Sequence, residues 1–262
     1  MYNNERMKIA SFNVNSIRAR LEIVLDWMKK ESPDVLCVQE TKVVDDDFPL
    51  QPFRDMNYES LYHGEKKYNG VAIFSRYPVQ NVRLGFETDG AYSTRIITAT
   101  INRIPIVNTY IPQGYNPLSE KFREKINCFQ RLYEYFDKNF RPGKPLLWLG
   151  DFNVAPEAID VYDPEKLLGQ VGYHPDEHEA LLRIKEWGFV DVFRKHQPAP
   201  EQFSFWDYRI KNAVKRKVGW RVDHIWATKP LADTSVNSWI DIEPRLRERP
   251  SDHTPIVAEF KL

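Results

Sequence analysis

The sequence contains few cysteines. Only Cys37 and Cys128 are present among 262 residues, and their spacing is not that of a metal-binding or redox pair. Cys37 lies in the apolar run VLCVQ and Cys128 in an amphipathic helical pattern, which is typical of buried, reduced thiols. A disulfide framework is therefore not expected, and a reducing, cytoplasmic setting is predicted.

Neither charge nor hydrophobicity is in large excess. Lys plus Arg equals Asp plus Glu, at 37 each, so a nucleic-acid partner would have to be recognised by a local basic cluster. No uncharged apolar run approaches the roughly 20 residues that span a bilayer. The first residues, MYNNERMKIA, lack the basic and apolar regions of a signal peptide. A soluble protein with no membrane partner is predicted.

Short strand patterns recur along the chain, with three helical patterns between them. Apolar residues at helical spacing predict helices over 16–30, 119–140 and 175–187. The strand candidates are rich in Val, Ile and Thr and are bounded by Gly, Pro or Asn; they are KIASFNV, DVLCVQE, GVAIFSR, TRIITATI, IPIVNTYI, PLLWLGDFN, RVDHIWAT and TPIVAEFKL. No repeat or linker divides them. We therefore expect a loose lead over 1–6 and one α/β domain over 7–262, with two packed β-sheets flanked by helices in a four-layer sandwich.

Several strand candidates end in polar side chains. The apolar run LLWL is followed directly by Asp151 and Asn153, and residues i and i+2 of a strand face the same side. Burying a carboxylate is unfavourable unless something compensates for it, so an acid at this point requires an explanation. Comparable residues stand at the ends of other candidate strands; they are Asn13, Glu40, Tyr110, Asp223, Asp252 and His253.

These residue types suggest a chemistry. The carboxylates and amides offer hard oxygen ligands, which Mg²⁺ or Mn²⁺ prefers, whereas a zinc site would be expected to show clustered Cys and His. His253, Tyr110 and Asp151 are suited to proton transfer, and Asp223 can orient His253. A metal, an acid and a base together indicate hydrolysis of a phosphate ester.

Each residue also has an ordinary structural explanation. The asparagines and GDFN could be turns, Glu40 a solvated strand end, and Tyr110 a half-buried core aromatic. His253 could be a satisfied core histidine after a cap-like turn, and Asp223 could pair with a nearby arginine. The joint occurrence of all these residues at strand ends is what favours a site.

Six motifs occur in an order that resembles a known family; they are FNVNSIRAR, QETK, YIPQG, GDFNVAP, GWRVD and PSDHTPI. From about Lys8 to Leu262 the chain resembles the exonuclease III family of apurinic/apyrimidinic endonucleases, within the endonuclease, exonuclease and phosphatase superfamily. The resemblance implies two packed sheets with an active site at one rim. It also implies a Mg²⁺-dependent nuclease that cleaves the phosphodiester 5′ to abasic sites in duplex DNA and also acts on blocked 3′ ends.

The resemblance also implies roles for individual residues. Glu40 would be the main metal carboxylate with Asn13 and Asp252 nearby, and Asp151 and Asn153 would also offer oxygen to the metal. Asp151 would activate or position the attacking water, with Asn153 holding it and the phosphate. His253, oriented by Asp223, would bind the scissile phosphate. Tyr110 would contact the phosphate or assist the leaving group.

A basic run near the C-terminus supports a nucleic-acid partner independently of the family. The segment RIKNAVKRKVGWR, residues 209–221, holds six cations and no acid, and aromatic residues flank it. A solvated loop is the ordinary alternative. By resemblance, Phe205, Trp220 and Val222 would line a pocket for a baseless sugar, with Trp206 supporting its wall. Tyr68 would touch the minor groove and Arg18 a phosphate.

Two other functions remain open from the sequence. One is a superfamily phosphoesterase acting on phosphoinositide or sphingolipid headgroups; the aromatic cluster FSFWDYR and the basic run count against it. The other is a catalytically inactive DNA-binding member, which the complete set of catalytic residue types disfavours. The balance of endonuclease, 3′-exonuclease and 3′-phosphatase activity also stays open. No obligate protein partner is indicated, so a monomer is the default expectation.

Overall fold

The computed structural model of the protein describes residues 6–86 and 92–262. Within these residues twelve β-strands form: β1 Arg6–Asn13, β2 Val35–Gln39, β3 Glu59–His63, β4 Val71–Ser75, β5 Val79–Leu84, β6 Ile96–Ile101, β7 Ile104–Tyr110, β8 Leu147–Asp151, β9 Phe189–Asp191, β10 Asp223–Thr228, β11 Ser235–Ile240 and β12 Ile256–Lys261. The helices there are α1 Leu21–Glu31, α2 Gln51–Asp55, α3 Glu120–Asn139, α4 Pro164–Leu167, α5 Pro175–Gly188, α6 Val192–His196 and α7 Lys229–Ala232.

The strands form two six-stranded sheets. One has the order β11-β12-β1-β2-β4-β3 and the other the order β5-β6-β7-β8-β10-β9. Apolar side chains from the facing surfaces of both sheets form one buried cluster, including Ile9, Cys37, Ile106 and Leu149. The two sheets therefore pack face to face around a common core.

Helices cover the two outer faces. Helices α3 and α5 pack on the second sheet through residues such as Phe129, Phe136 and Leu181. On the first sheet, α1 and α2 bury Val24, Trp27 and Phe53. The order helix, sheet, sheet, helix confirms the predicted four-layer α/β sandwich.

Two of the three predicted helices are confirmed almost to the residue. Helix α3 begins after Ser119, whose hydroxyl accepts a hydrogen bond from the Phe122 N–H, and α5 begins with Pro175. The helix predicted over 16–30 begins only at Leu21. Its first part is a loop, because the N–H groups of Ser16 and Ile17 bond to the carbonyls of Glu40 and Thr41 instead of forming a helical turn.

The expected lead over 1–6 is wrong at its last residue. Arg6 already belongs to β1, where it pairs with Lys261 of β12. Residues 1–5 lie outside the described residues.

Strand directions bring many strand ends to one rim of the sandwich. Strands β1 and β2 are parallel, and β12 is antiparallel to β1, so the end of β2 and the start of β12 lie at the same edge. In the second sheet β7 and β8 are parallel and β10 is antiparallel to β8. The rim therefore collects the polar residues that the sequence places at these ends.

Both cysteines are free and buried, as predicted. No helix among the described residues is long and apolar enough to cross a membrane.

Candidate active site

A cluster of carboxylates and amides bridges the two sheets at the rim. The amide nitrogen of Asn13, at the end of β1, donates to Glu40 Oε1 at 2.9 Å and to Asp151 Oδ2 at 2.8 Å. Asn13 thus links an acid after β2 with the acid that ends β8. The second oxygen of Glu40 lies 2.7 Å from the Lys42 ammonium. Two anions that would otherwise repel each other are held together by these donors.

The GDFN loop positions Asp151 through unusual backbone conformations. Gly150 has φ +136°, and a Cβ there would lie 1.9 Å from the Thr109 carbonyl oxygen, so only glycine lets β8 approach β7 this closely. Strand β8 ends at Asp151, and Asn153 has a left-handed φ of +52°. The predicted i, i+2 strand alignment is therefore not what joins the two residues. Instead, Asp151 Oδ1 accepts from the Asn153 N–H at 2.8 Å in a side-chain-capped turn.

His253 is held between two buried carboxylates. Its Nδ1 lies 2.8 Å from Asp223 Oδ2, and its Nε2 lies 3.8 Å from Asp151 Oδ2. The Ser204 hydroxyl donates to the same Asp223 oxygen at 2.6 Å, whereas Asp223 Oδ1 has no hydrogen-bond partner in the part of the chain described. Burial opposes the imidazolium, but the charges of Asp223 and Asp151 outweigh it and raise the pKa of His253 to about 10. The ring is therefore cationic at neutral pH.

The same environment acts on the neighbouring acids. Burial, with the charges of Asp223 and Glu40, raises the pKa of Asp151, although the His253 cation lowers it in part. Burial, with the charges of Glu40 and Asp151, raises the pKa of Tyr110 well above its usual value. The Tyr110 phenol is therefore protonated through neutral pH and can donate a hydrogen bond, while Asp151 is poised to accept a proton.

The donor set fits a divalent cation with hard-ligand preference. Ligand atoms of Glu40, Asp151 and His253 lie within 4.8 Å of one another. Since His253 is a cation engaged by Asp223, the carboxylates are the ligands this arrangement offers. Asp252 lies beside them, and its Oδ1 accepts from the Asn15 amide at 2.9 Å. Asn13 directs its amide nitrogen, rather than its oxygen, at the two acids.

A cavity of about 610 Å³ opens beside this cluster. Its lining includes the polar residues Glu40, Tyr110, Asn153, Asp252 and His253. It also includes Phe205, Trp220 and Val222, with the Phe205 ring centroid 4.8 Å from that of His253, and loop residues 169–172. We call this space the rim cavity; it is large enough for a sugar-phosphate unit.

The remaining predicted DNA-contacting residues lie elsewhere. Trp206 does not line the rim cavity. It is buried and packed with Phe203, and its backbone N–H donates to the Asp252 carbonyl at 2.8 Å. Arg18 and Tyr68 are exposed and lie outside the cavity lining. Arg18 lies 4.0 Å from Asp47.

The cations of the basic run lie at the surface except for the last one. Arg209, Lys211, Lys215, Arg216 and Lys217 are exposed. Arg221 is fully buried: its guanidinium bonds Asp160 and Asp191 and lies 2.8 Å from His224 Nδ1. Because Asp160 and Asp191 hold it inside the fold, Arg221 is not available to bind a phosphate, and its inclusion in the basic run is wrong.

Several residues of the site were not predicted from the sequence. The Ser204 hydroxyl donates to Asp223. The Asn15 amide donates to Asp252, and the Lys42 ammonium pairs with Glu40. Lys42 of QETK, two residues after Glu40, was the one local signal. Ser204 gave none, because nothing in a sequence distinguishes a serine below a carboxylate from a surface serine.

Comparisons with known proteins show which proteins this chain is similar to. Residues 10–253 match the Endonuclease/Exonuclease/phosphatase family. The chain is 35% identical to exodeoxyribonuclease III of Haemophilus influenzae, covering 97% of this chain and 100% of that protein. An AP endonuclease from Archaeoglobus fulgidus has 46% identity and a TM-score of 0.95, with 98% of this chain and 100% of that chain covered. A Neisseria 3′ phosphatase bound to a product DNA hairpin has 34% identity and a TM-score of 0.92, with the same coverage.

The chain belongs to the endonuclease/exonuclease/phosphatase family. The three relatives named above match along their whole length, and within the family the chain is a hydrolase, a nuclease of the DNA-repair type.

Proposed function

We propose that the protein is a Mg²⁺-dependent nuclease that cleaves the phosphodiester on the 5′ side of abasic sites in duplex DNA and also removes blocking groups from 3′ ends. The observation that carries the proposal is the rim cavity, in which an acid–base cluster adjoins a wall that includes the aromatic residues Phe205 and Trp220. A baseless sugar turned out of the helix fits such a wall, whereas a nucleotide that retains its base requires more room. The relatives named as an AP endonuclease and a 3′ phosphatase support both activities.

Glu40 and Asp151, with Asp252 beside them, would hold the Mg²⁺. When bound, the ion neutralises charge on the phosphate oxygens. The choice of Mg²⁺ rests on the oxygen-rich donor set, and Mn²⁺ suits the same ligands.

The residues of the chain supply the remaining chemistry. The His253 cation, oriented through Nδ1 by Asp223, donates to a non-bridging oxygen of the scissile phosphate as negative charge develops there. Asp151 positions the attacking water and accepts its proton, with Asn153 fixed beside it. Tyr110, kept protonated, hydrogen-bonds the phosphate or the leaving oxygen.

The proposal is tested with a labelled duplex carrying one tetrahydrofuran abasic analogue, beside an undamaged duplex and a duplex with a 3′-phosphate. Each is incubated with Mg²⁺ or with EDTA. We expect Mg²⁺-dependent incision directly 5′ to the analogue and release of the 3′-phosphate, because both reactions use the same cluster. Inositol phosphates and sphingolipids serve as rival substrates.

Other outcomes would redirect the assignment. Phosphate release from lipid or inositol substrates without DNA incision would place the protein in the phosphoesterase branch. Tight duplex binding without turnover would identify an inactive DNA-binding member.

Replacing the central carboxylate by an amide tests the metal site. In Glu40→Gln, one anionic ligand is lost, so the Mg²⁺ concentration for half-maximal activity is expected to rise at least about tenfold. Duplex binding measured in EDTA should be unchanged or slightly tighter, because a negative charge near the phosphate has been removed. An equal loss of metal response and of DNA binding would instead assign Glu40 a structural role.

A pH profile tests the pairing of Asp223 with His253. The raised pKa of His253 keeps the ring protonated as pH rises, and activity is lost only as pH passes that pKa in the complex. Asp223→Asn keeps a hydrogen-bond acceptor but removes the charge, so the falling limb should move to lower pH by roughly one to three units. Asp241→Asn, whose carboxylate bonds the Trp27 indole and not a residue of the cluster, is the matched control. Superimposable profiles for the wild type and Asp223→Asn would refute the pairing.

We further propose that the protein acts as a monomer in a reducing, cytoplasmic compartment. One chain supplies every residue of the cluster, and both thiols are buried and free. Analytical ultracentrifugation with and without the abasic duplex measures the stoichiometry.

A further inference from the structure

A buried ion pair lies directly beneath the rim cavity. Lys125 of α3 and Glu177 of α5 are both completely shielded from solvent, and their charged atoms are 2.5 Å apart. Ion pairs buried this deeply add little net stability compared with apolar residues of the same size, because desolvation offsets their attraction. Stability alone therefore does not explain why charges stand at these two positions.

The partners of Lys125 indicate what the pair does. An ammonium group has three donors, and here each has an acceptor: Glu177 Oε1, the Asn153 carbonyl at 2.7 Å and the Gln113 carbonyl at 3.2 Å. Gln113 lies in the loop that follows β7, and Asn153 lies in the loop that follows β8. These strands end in Tyr110 and Asp151, so one ammonium fixes both loops behind the reacting groups.

The partners of Glu177 lie in and just after the loop that contributes residues 169–172 to the cavity lining. Its Oε2 accepts from the Gly172 N–H at 2.8 Å and from the His174 N–H at 3.1 Å. Gly172, with φ +90°, packs so closely on the Trp220 ring that an added Cβ would lie 3.3 Å from it. Glu177 therefore fixes the loop that supports the aromatic wall.

We propose that Lys125 and Glu177 are positioning residues for the two halves of the active site: Lys125 fixes the reacting side through Asn153 and Gln113, and Glu177 fixes the sugar-binding wall through Gly172. The inference rests on the proposed function for where hydrolysis takes place, but not for which substrate is preferred. Neither residue touches substrate. Their effect is geometric, and a shift of about 1 Å in a catalytic group can reduce a rate about 100-fold.

The two sides make the proposal testable through different kinetic constants. Lys125→Met removes the donor to Asn153 and Gln113, so kcat is expected to fall about 10- to 100-fold with a smaller change in KM. Glu177→Gln keeps the lysine and its two carbonyl acceptors but disturbs Gly172. It should raise KM for the abasic duplex more than it lowers kcat.

A double variant separates positioning from stability. Lys125→Met/Glu177→Gln has no charge at either position of this pair. Its melting temperature is therefore expected to recover at least half of the loss seen in Lys125→Met. The kcat should stay low, because Asn153 and Gln113 still lack their donor. Each variant is assayed well below its melting temperature on both the tetrahydrofuran duplex and the 3′-phosphate duplex.

The outcomes are distinguishable. Recovery of kcat together with the melting temperature in the double variant, or equal kcat losses in the two single variants, would overturn the proposal and leave a structural ion pair. A wild type that processes 3′ ends but not the abasic analogue would contradict the proposed substrate preference, whereas kcat for the 3′-phosphate duplex would still test the role of Lys125.

Discussion

Asp151→Asn is expected to reduce the rate of DNA incision by about 10²- to 10⁴-fold, the range associated with loss of a general base. The amide cannot accept the proton of the attacking water. It also fits the hydrogen bonds poorly, because both carboxylate oxygens of Asp151 accept: Oδ1 from the Asn153 N–H, Oδ2 from the side chains of Asn13 and Asn153. An amide nitrogen at either place would face another donor.

The same substitution should leave the fold intact. Burial and the charges of Asp223 and Glu40 raise the pKa of Asp151 despite the opposing His253 cation, which means that the Asp151 charge is destabilising there. Removing that charge offsets the lost hydrogen bonds, so the melting temperature is expected to stay the same or to rise. Single-turnover incision, duplex binding by gel shift and thermal melting measure the three quantities. A residual rate within tenfold of the wild type would show that another group accepts the proton.

Arg221→Met is expected to have the largest effect on stability, a loss of about 3–5 kcal/mol. The methionine fills much of the space but leaves Asp160 and Asp191 buried without their shared cation. Arg194 still forms an ion pair with Asp160 in this variant. Asp191, however, keeps no other cation among the contacts described here. Removing one partner of such a network leaves the other charges buried and unpaired, which costs stability. Replacing the whole network by apolar residues would not leave such charges behind.

The measurement is denaturant unfolding, with Lys229→Met as the control. Lys229 forms an exposed ion pair with Asp233, and exposed pairs contribute at most about 1 kcal/mol. Equal losses of unfolding free energy in the two variants would show that the buried network contributes no more to stability than an exposed ion pair.

The neighbouring His224 adds a pH dependence to the same experiment. Burial and the Arg221 charge lower the pKa of His224 to about 3, so the folded protein excludes a proton that the unfolded chain binds below about pH 6.5. Stability from this group is complete above that pH and is lost as pH falls toward 3. Without the repulsion from Arg221 the folded pKa should rise, and the variant's loss of stability across this interval should be smaller.

The interior of the fold was predictable, and its edges were not. Strands such as β2 and β8 are continuous apolar runs, because both of their faces are buried. The edge strand β5 of the second sheet has five exposed residues among its six, and the edge strand β3 of the first sheet is only half buried. Such strands form because a neighbour offers backbone hydrogen bonds, which leaves no apolar pattern in their own residues.

The site shows the same division between local and distant information. The polar residues of the rim could be found because each lies next to a recognisable apolar run, after it as at Asp151 or before it as at His253. Arg221 could not be told apart from the exposed cations before it, because its partners Asp160 and Asp191 are 61 and 30 residues away in the chain. Lys125 was likewise hidden in an otherwise amphipathic helix, where a lysine usually marks the solvent face.

The bonds from Asn13 to Asp151 and from His253 to Asp223 both join a residue of one sheet to a residue of the other. Neither sheet alone contains both the proton acceptor and the cation. During folding, a chain with one finished sheet, or with two sheets not yet docked, therefore has no hydrolytic power. Competence therefore requires that the two sheets are docked, and a partly unfolded copy in which they are apart lacks the assembled cluster.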